Sequence, residues 1–252
     1  MRTLPLITAL TLLATALPVN LAAQEATKAA EAQNEIITGG LRISEDTAAA
    51  HPALTVEGLK ADDLEPTFQT VDVVLATEMG NITIALETER APVTAANFLR
   101  YIDEGRFDGT VFYRAMHIKW GEPPNGLLQG GTQNHPDRIL DPIAHEPTTE
   151  TGLSHANGAL SMARFDPGTA TGDFSIMIKG QRGLDAQPKS EDPGLRPGFA
   201  VFGYVTEGMD VVHAIHAAPI DPEQGEGWLK GQMLAEPVKI IEARRVNTAE
   251  SD

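Results

Sequence analysis

The 252-residue sequence contains no cysteine, and both its aromatic and its basic residues are few. Without a thiol the chain forms no disulfide, no thiolate zinc site, no iron–sulfur cluster and no cysteine nucleophile. Lysine and arginine number 19 against 35 acidic residues, so the net charge of −16 argues against a nucleic-acid partner and against attraction to anionic lipids. Aromatic residues make up only 5% of the chain, but hydrophobic residues make up 42%, enough for a core.

Long apolar runs are also absent after the first 23 residues. Within those residues Arg2 precedes an apolar stretch at 4–21, and the small residues Ala22 and Ala23 follow it. This order is typical of a secretory signal peptide, and the uninterrupted apolar run at 6–17 is too short to span a membrane. We expect cleavage near Ala23 and an exported protein, located in the periplasm, that has no membrane insertion after the signal peptide (1–23) is removed.

Residues 24–70 differ in character from those that follow. They are acidic, rich in alanine and glutamine at first, and later contain glycine, proline and threonine with weak apolar periodicity. Such a composition predicts a weakly structured N-terminal extension. The pattern becomes regular from residue 71, so the folded domain is expected at 71–248.

The domain begins with a predicted β-hairpin and a helix. Residues 71–77 and 82–86 read as two strands joined by a turn at Gly80. Pro92 is placed at the start of the helix, where its missing N–H costs nothing, and Gly105 suits its end. The apolar residues of this helix recur at i, i+3, i+4 and i+7 and form one stripe: Ala95, Phe98, Leu99 and Ile102.

The remainder consists mostly of short strands separated by turns. Candidate strands lie at 110–116, 126–130, 159–163, 174–179, 200–205 and 238–246, and a second helix is predicted at 207–216. With 23 glycines and 17 prolines, the chain has the turn content of an antiparallel β structure. The pattern favours a closed or nearly closed antiparallel β-barrel over a parallel α/β sheet.

Several segments, taken in this order, resemble one family, the cyclophilin-type peptidyl-prolyl cis/trans isomerases. They are Gly-Asn-Ile-Thr-Ile at 80–84, Ala-Pro-Val-Thr-Ala-Ala-Asn-Phe at 91–98, Thr-Val-Phe-Tyr-Arg at 110–114, Leu-Leu-Gln-Gly-Gly at 127–131, Gly-Ala-Leu-Ser-Met-Ala-Arg at 158–164 and Phe-Ala-Val-Phe-Gly at 199–203. The resemblance covers about 71–246. It implies an eight-stranded antiparallel β-barrel capped by two α-helices, a groove for proline-containing polypeptides, no cofactor and a monomeric state.

The resemblance implies that Arg114 is the catalytic arginine and that Gln129 holds the substrate backbone and orients this arginine. Outside such a motif, an arginine in so acidic a chain is more often a surface ion-pair partner, and a glutamine beside Gly-Gly more often faces a turn. Rotation about an X–Pro bond must overcome a barrier of roughly 18–20 kcal/mol set by amide resonance. At the twisted transition state the prolyl nitrogen regains a lone pair, which a fixed guanidinium can contact without losing its proton.

The same resemblance implies a set of residues that contact the substrate. These are Leu127, Ala163, Arg164, Phe174, Leu184 and Phe199.

The sequence also departs from the family pattern around this groove. Gly126 stands where the family usually has a phenylalanine of the proline pocket, and Asp173 and Ser175 stand where a glutamine and an aromatic wall are usual. A shift of one residue in strand register would return Phe174 to the wall but would turn its neighbours to the opposite face. The stretch at 115–128 is longer than usual, and its Trp120 either fills the pocket or caps the barrel end. The loop at 186–198 is enlarged as well.

Other motifs add little to this interpretation. Ser161 lies in Ala-Leu-Ser-Met-Ala, which is not a nucleophile elbow. The seven histidines include no H-E-x-x-H motif, so no metal site is predicted. The expected function is isomerisation of X–Pro bonds in folding exported proteins. The alternative is a weakly active or non-catalytic chaperone module that binds proline-containing segments.

Overall fold

The computed structural model describes residues 68–119 and 122–246. The predicted signal peptide, residues 24–67 of the predicted extension, and Trp120 lie outside the described residues.

Within the described residues, nine strands form one antiparallel sheet. They are β1 (Val71–Thr77), β2 (Gly80–Leu86), β3 (Val111–His117), β4 (Gly126–Gly131), β5 (Ala159–Met162), β6 (Asp173–Met177), β7 (Val201–Glu207), β8 (Ile220–Asp221) and β9 (Met233–Arg245). The order β1-β2-β7-β5-β6-β4-β3-β9 closes on itself because β9 also pairs with β1, and the two-residue β8 adds to β9 outside the ring. The predicted eight-stranded closed antiparallel barrel is confirmed.

Three α-helices accompany the barrel in this part of the chain: α1 (Pro92–Asp103), α2 (Thr148–Thr151) and α3 (Met209–His216). The two predicted helices correspond to α1 and α3, and α2 is a single additional turn. The second helix begins at Met209 instead of 207 because Gly208, with φ of +83°, takes a left-handed conformation at the helix cap. None of the described helices is long and apolar enough to cross a membrane.

Helix α1 is anchored at its N-terminus by a carboxylate from a distant loop. The backbone N–H groups of Val93 and Thr94 donate to the Glu146 carboxylate at 3.0 and 2.7 Å. This carboxylate partners N–H groups that a helix cannot satisfy internally, and its negative charge suits the positive end of the helix dipole. The predicted apolar stripe of α1 is buried against the barrel.

The barrel interior is centred on an aromatic cluster. Phe98 of α1 lies 4.8–5.2 Å, between ring centroids, from Phe107, Phe174 and Phe202. The Phe174 ring also meets Phe112 edge-on at 5.8 Å. Although aromatic residues are scarce in the sequence, this cluster joins α1 to β3, β6 and β7.

Strand β9 begins five residues earlier than the sequence pattern predicts, at Met233 instead of 238. Met233 pairs with Arg114 of β3, and Leu234 pairs with Ile220 of β8. The early start brings the segment before β9 to the side of β3 that carries Arg114.

Candidate active site

A β-bulge in β3 directs Arg114 out of the barrel. Phe112 pairs with Gly130 and Arg114 pairs with Gln129, so Tyr113 has no partner of its own on β4. Regular alternation would place Phe112 and Arg114 on the same face, but Phe112 lies in the core. Because an extra residue in a strand changes which face the next side chain takes, the bulge turns Arg114 to the outer face of the wall.

Two glutamine amides hold the Arg114 guanidinium. Nη1 donates to Oε1 of Gln129 at 2.7 Å, and Nε and Nη2 donate to Oε1 of Gln232 at 2.9 and 2.7 Å. The Arg114 side chain is 5% exposed, and this burial lowers its pKa from the ordinary value. An arginine nevertheless remains protonated in proteins, so the site presents a fixed cation.

Gln129 is itself oriented by Tyr113. Its Nε2 donates to the Tyr113 hydroxyl at 2.8 Å, which leaves Oε1 as the acceptor for Arg114. The hydroxyl in turn donates to Oδ1 of Asp173 at 3.4 Å. Burial, followed by the nearby Asp173 charge, raises the pKa of Tyr113, so this phenol stays protonated as the donor. The predicted pair of Arg114 and Gln129 is therefore part of a longer hydrogen-bond chain.

The Asp173 carboxylate is hydrogen-bonded within the protein and is not free to face the groove. It accepts backbone N–H groups of Gln133 and Asn134 at 2.8 and 3.2 Å. Both of these residues have φ near +50° (51° and 52°), a left-handed conformation that needs support from surrounding structure. Burial raises the pKa of Asp173 despite these hydrogen bonds. This residue thus supports the loop after β4 and the Tyr113 hydroxyl.

The register between β4 and β6 corrects the expectation that Phe174 forms a wall of the groove. Ser175 pairs with Gln129, and Phe174 pairs with Gly130. Directly paired residues share a face, so Ser175 lies on the side of Gln129. Phe174 is 0% exposed, with its ring in the aromatic cluster. The alternative register that would return Phe174 to the wall is not adopted.

Gly126 cannot carry the aromatic side chain that the family usually has at this position. Its φ is +136°, and a Cβ added to it would lie 1.8 Å from the carbonyl oxygen of Met116. The backbone conformation of the β3–β4 hairpin therefore excludes an aromatic side chain at Gly126. Leu127 follows it and is nearly buried, on the same face as Gln129 two residues later.

Four of the other predicted substrate contacts lie in one neighbourhood. Arg164 stacks over the Phe199 ring, with Cζ 4.6 Å from its centroid, and donates to the carbonyl of Gly198. The Phe199 N–H donates to the carbonyl of Leu184 at 2.9 Å. Ala163, the residue before Arg164, is joined to β6 through its N–H. These contacts connect Arg164, Phe199 and Leu184 into one half-buried cluster.

A buried row of hydrogen-bonded side chains, Asp185, His155 and Ser161, fixes the loop that carries Leu184. The sequence pattern does not predict this row. Asp185 accepts from the backbone N–H and from Nδ1 of His155 at 2.9 and 2.6 Å, and His155 Nε2 contacts Ser161 Oγ at 2.9 Å. Because a carboxylate only accepts, Nδ1 carries the proton and Nε2 accepts from the serine hydroxyl. The row has the composition of a hydrolase triad, but His155 and Ser161 are 0% and 3% exposed, so the hydroxyl meets no substrate. Its role is structural.

Because of this row, we expect the folded protein to be less stable in mild acid. Burial lowers the pKa of His155 more than Asp185 raises it, so the unfolded chain takes up the proton at a higher pH than the folded protein. Below about pH 6.5 the free energy of unfolding should fall, by up to ~1.4 kcal/mol per pH unit from this group. Denaturant unfolding of the wild type and of His155→Gln at several pH values measures the difference in slope. Identical slopes for both proteins would contradict the assignment.

Two further residues reach Arg114 from the segment before β9, and sequence reasoning missed both. One is Gln232. The other is Trp228, whose ring lies over the guanidinium with Cζ 4.7 Å from its centroid. They are distant from Arg114 in sequence, and no motif marks them. Among the described residues, no group of three or more potential metal ligands occurs.

The arrangement suits hydrogen-bond donation to a substrate. Three N–H groups of Arg114 are held by Gln129 and Gln232, and a guanidinium has five, so the other two have no acceptor among the described residues. No described nucleophile is both activated and accessible, because the one Ser–His–Asp row is buried. The fold and the site thus define a closed β-barrel protein that holds a fixed cation on the outer face of its barrel.

Comparison with known proteins identifies the family. The family model described as "Cyclophilin type peptidyl-prolyl cis-trans isomerase/CLD" matches residues 71–245. The chain belongs to this family of cyclophilin-type peptidyl-prolyl cis-trans isomerases.

Individual relatives agree with this assignment. A peptidyl-prolyl cis-trans isomerase of Acinetobacter baylyi is 33% identical over 183 residues, which are 70% of this chain and 87% of the relative. The isomerase cyp18 of Streptomyces antibioticus is 37% identical over 175 residues, covering 67% of this chain and 98% of the relative. A crystal structure of a cyclophilin-type isomerase of Cryptosporidium parvum matches with a TM-score of 0.52 at 18% identity, covering 71% and 99% of the two chains, and supports the fold.

Proposed function

We propose that this cyclophilin-type peptidyl-prolyl cis-trans isomerase accelerates rotation about X–Pro bonds in polypeptides that fold after export, in the periplasm. The observation that carries the catalytic part is the Arg114 guanidinium, held on one side by Gln129 and with two N–H groups that no described residue accepts.

Arg114 lowers the barrier by a contact that the planar peptide cannot make. In the ground state the prolyl nitrogen shares its lone pair with the carbonyl, whereas in the twisted transition state that lone pair is free to accept a hydrogen bond. An interaction made only in the transition state raises the rate instead of merely tightening binding. A donor already held by Gln129 also requires no reorganisation at the moment of rotation.

Arg114 alone is insufficient for a large acceleration. A ten-thousandfold effect requires about 5.4 kcal/mol, and one hydrogen bond to a charged group contributes about 1.5–3 kcal/mol. The groove must therefore hold the peptide as well. Leu127 and the cluster of Arg164, Leu184 and Phe199 are the surfaces proposed to do this.

The groove has fewer aromatic walls than the family pattern implies, and this defines the alternative function. Gly126 carries no side chain, Ser175 is small, and Phe174 is inside the barrel. Weak proline binding would leave a slow isomerase, or a chaperone module that only holds proline-containing segments. The intact Arg114–Gln129 pair favours the enzyme.

The export part of the proposal is supported by the sequence at 1–23. A positive charge, an apolar run and small residues precede a mature chain that has no cysteine to form stray disulfides in an oxidising compartment. Peptide recognition has a parallel among solved structures: a Cryptosporidium parvum cyclophilin, with a TM-score of 0.54 at 18% identity, was crystallised in the presence of the dipeptide Ala-Pro.

A single expression experiment tests location and activity together. In a Gram-negative host, the full chain should be recovered from the periplasm, shortened near Ala23, and this material should accelerate isomerisation of a proline tetrapeptide. Deletion of residues 2–23 is the control and should leave the protein in the cytosol with the same activity. Full-length protein in the cytosol would refute export, and recovered protein that binds the peptide without accelerating it would favour the chaperone alternative.

A further inference from the structure

The segment that precedes β9 holds Arg114 from the side opposite Gln129. Ala115 donates its N–H to the Gln232 carbonyl at 2.9 Å, and Met233 pairs with Arg114 in the β3–β9 ladder. The backbone of Gln232 is thereby fixed beside the catalytic arginine. Its amide oxygen takes two of the three guanidinium hydrogen bonds.

The orientation of the Gln232 amide is also fixed. Its Nε2 donates to the carbonyl oxygen of Trp228 at 2.7 Å, so the amide oxygen is left to face Arg114. A short 3-10 helix, Gly227–Leu229, holds this carbonyl in place, and Gln232 closes the turn by donating its N–H to Leu229 at 3.1 Å. The turn therefore determines which end of the amide meets the guanidinium.

Trp228 covers the guanidinium from the same turn. Its ring is 73% exposed even though it stacks on an arginine that is 5% exposed. An aromatic ring that remains so exposed stabilises little by its own burial, but it removes water from the face of the cation it covers. The same turn therefore contacts the Arg114 guanidinium twice: Trp228 stacks on it, and Gln232 accepts hydrogen bonds from it.

We propose that Gln232 is a positioning residue for catalysis and that Trp228 completes a clamp on Arg114, an inference that rests on the proposed isomerase activity. With Nη1 held by Gln129 and the Nε edge held by Gln232, the guanidinium cannot rotate about its terminal side-chain torsions. Its two free N–H groups are then held in one direction before the substrate arrives. The clamp acts on catalysis through Arg114.

Gln232→Met tests this inference because methionine keeps the length of the side chain and removes the amide. We expect kcat for a proline tetrapeptide to fall about tenfold with KM nearly unchanged, since the guanidinium loses two of its three fixed hydrogen bonds while the groove is intact. In the NMR spectrum, the Arg114 Nε–H signal should shift and exchange faster with water. Gln224→Ala, an exposed glutamine of the same loop, is the matched control and should leave both quantities at wild-type values.

A Gln232→Met protein with wild-type kcat and an unchanged Nε–H signal would overturn the clamp. If this variant does not fold, Trp228→Leu replaces it, since an exposed ring can be removed without unfolding the protein; kcat should fall severalfold, and wild-type kcat would again overturn the proposal. An inactive wild type would refute the isomerase activity instead, while the Nε–H signal would still report whether Gln232 holds Arg114.

Discussion

Arg114→Ala should reduce kcat/KM for a proline tetrapeptide by roughly a hundredfold while the barrel remains folded. The estimate follows from the loss of one hydrogen bond to a charged group, about 1.5–3 kcal/mol, which corresponds to about 10- to 150-fold in rate. The cluster of Arg164, Leu184 and Phe199 that is proposed to hold the peptide is untouched by the change, so peptide binding should be retained. The rate is measured by exchange NMR on the cis and trans peptide signals, and the fold by thermal unfolding.

Two companion variants separate the charge of Arg114 from its geometry. Arg114→Lys keeps the charge but offers a point donor that cannot satisfy both Gln129 and Gln232, so it should restore little of the activity. Arg100→Ala removes an exposed arginine, whose side chain is 60% exposed and pairs with Glu104, and should have wild-type activity. Equal activity of Arg114→Ala and the wild type would refute the role of the guanidinium. Full activity of Arg114→Lys would show that charge alone suffices.

The fold was largely predictable from local patterns. Alternation marks the β1–β2 hairpin, and the i, i+3, i+4, i+7 stripe of α1 is buried as expected. Most predicted strand boundaries lie within two residues of the observed ones because turns at glycine delimit them. Arg114 and Gln129, which the structure joins by a hydrogen bond, are also predictable as a pair, since both belong to short segments whose order is specific to one family.

The rest of the site depends on pairing between distant strands, which local patterns do not reveal. Residues 173–176 alternate polar and apolar side chains, Asp-Phe-Ser-Ile, which agrees with Phe174 inside the barrel, but all five residues of β6 are buried, so burial alone does not show the face of Ser175. The register with β4 shows it, because Ser175 pairs with Gln129. The bulge at Tyr113 leaves no signal in Phe-Tyr-Arg, although it determines where Arg114 points.

Gln232 and Trp228 illustrate the same limit over a longer separation. Gln232 meets Arg114 across 118 positions of sequence, and the contact exists because β9 starts early and pairs through Met233. The residues between β8 and β9 have no apolar periodicity that would predict the start of β9 at Met233. Composition does not single out Gln232 either, because it is an uncharged residue in an acidic loop.

Phe174→Ala should lower the free energy of unfolding by about 3–5 kcal/mol, the range for removing a buried phenylalanine ring from a core. The Phe174 ring lies 5.2–5.8 Å, between centroids, from Phe98, Phe107 and Phe112, so its removal opens a cavity among three other rings. This loss is a large part of the total stability of a typical domain, ~5–15 kcal/mol. Chemical denaturation measures it, and KM determined on the folded fraction should equal the wild-type value.

Phe199→Ala is the matched aromatic deletion and should give the opposite pattern. Its ring is half-buried and stacks against Arg164 at the predicted substrate surface, so the loss in stability should be smaller and KM for the peptide should rise. The two variants together distinguish an interior ring from a groove ring, because each removes one benzyl group and only the position differs. A Phe174→Ala protein of near wild-type stability with a raised KM would mean that β6 takes the other register in solution, with Phe174 in the groove and Ser175 turned inward.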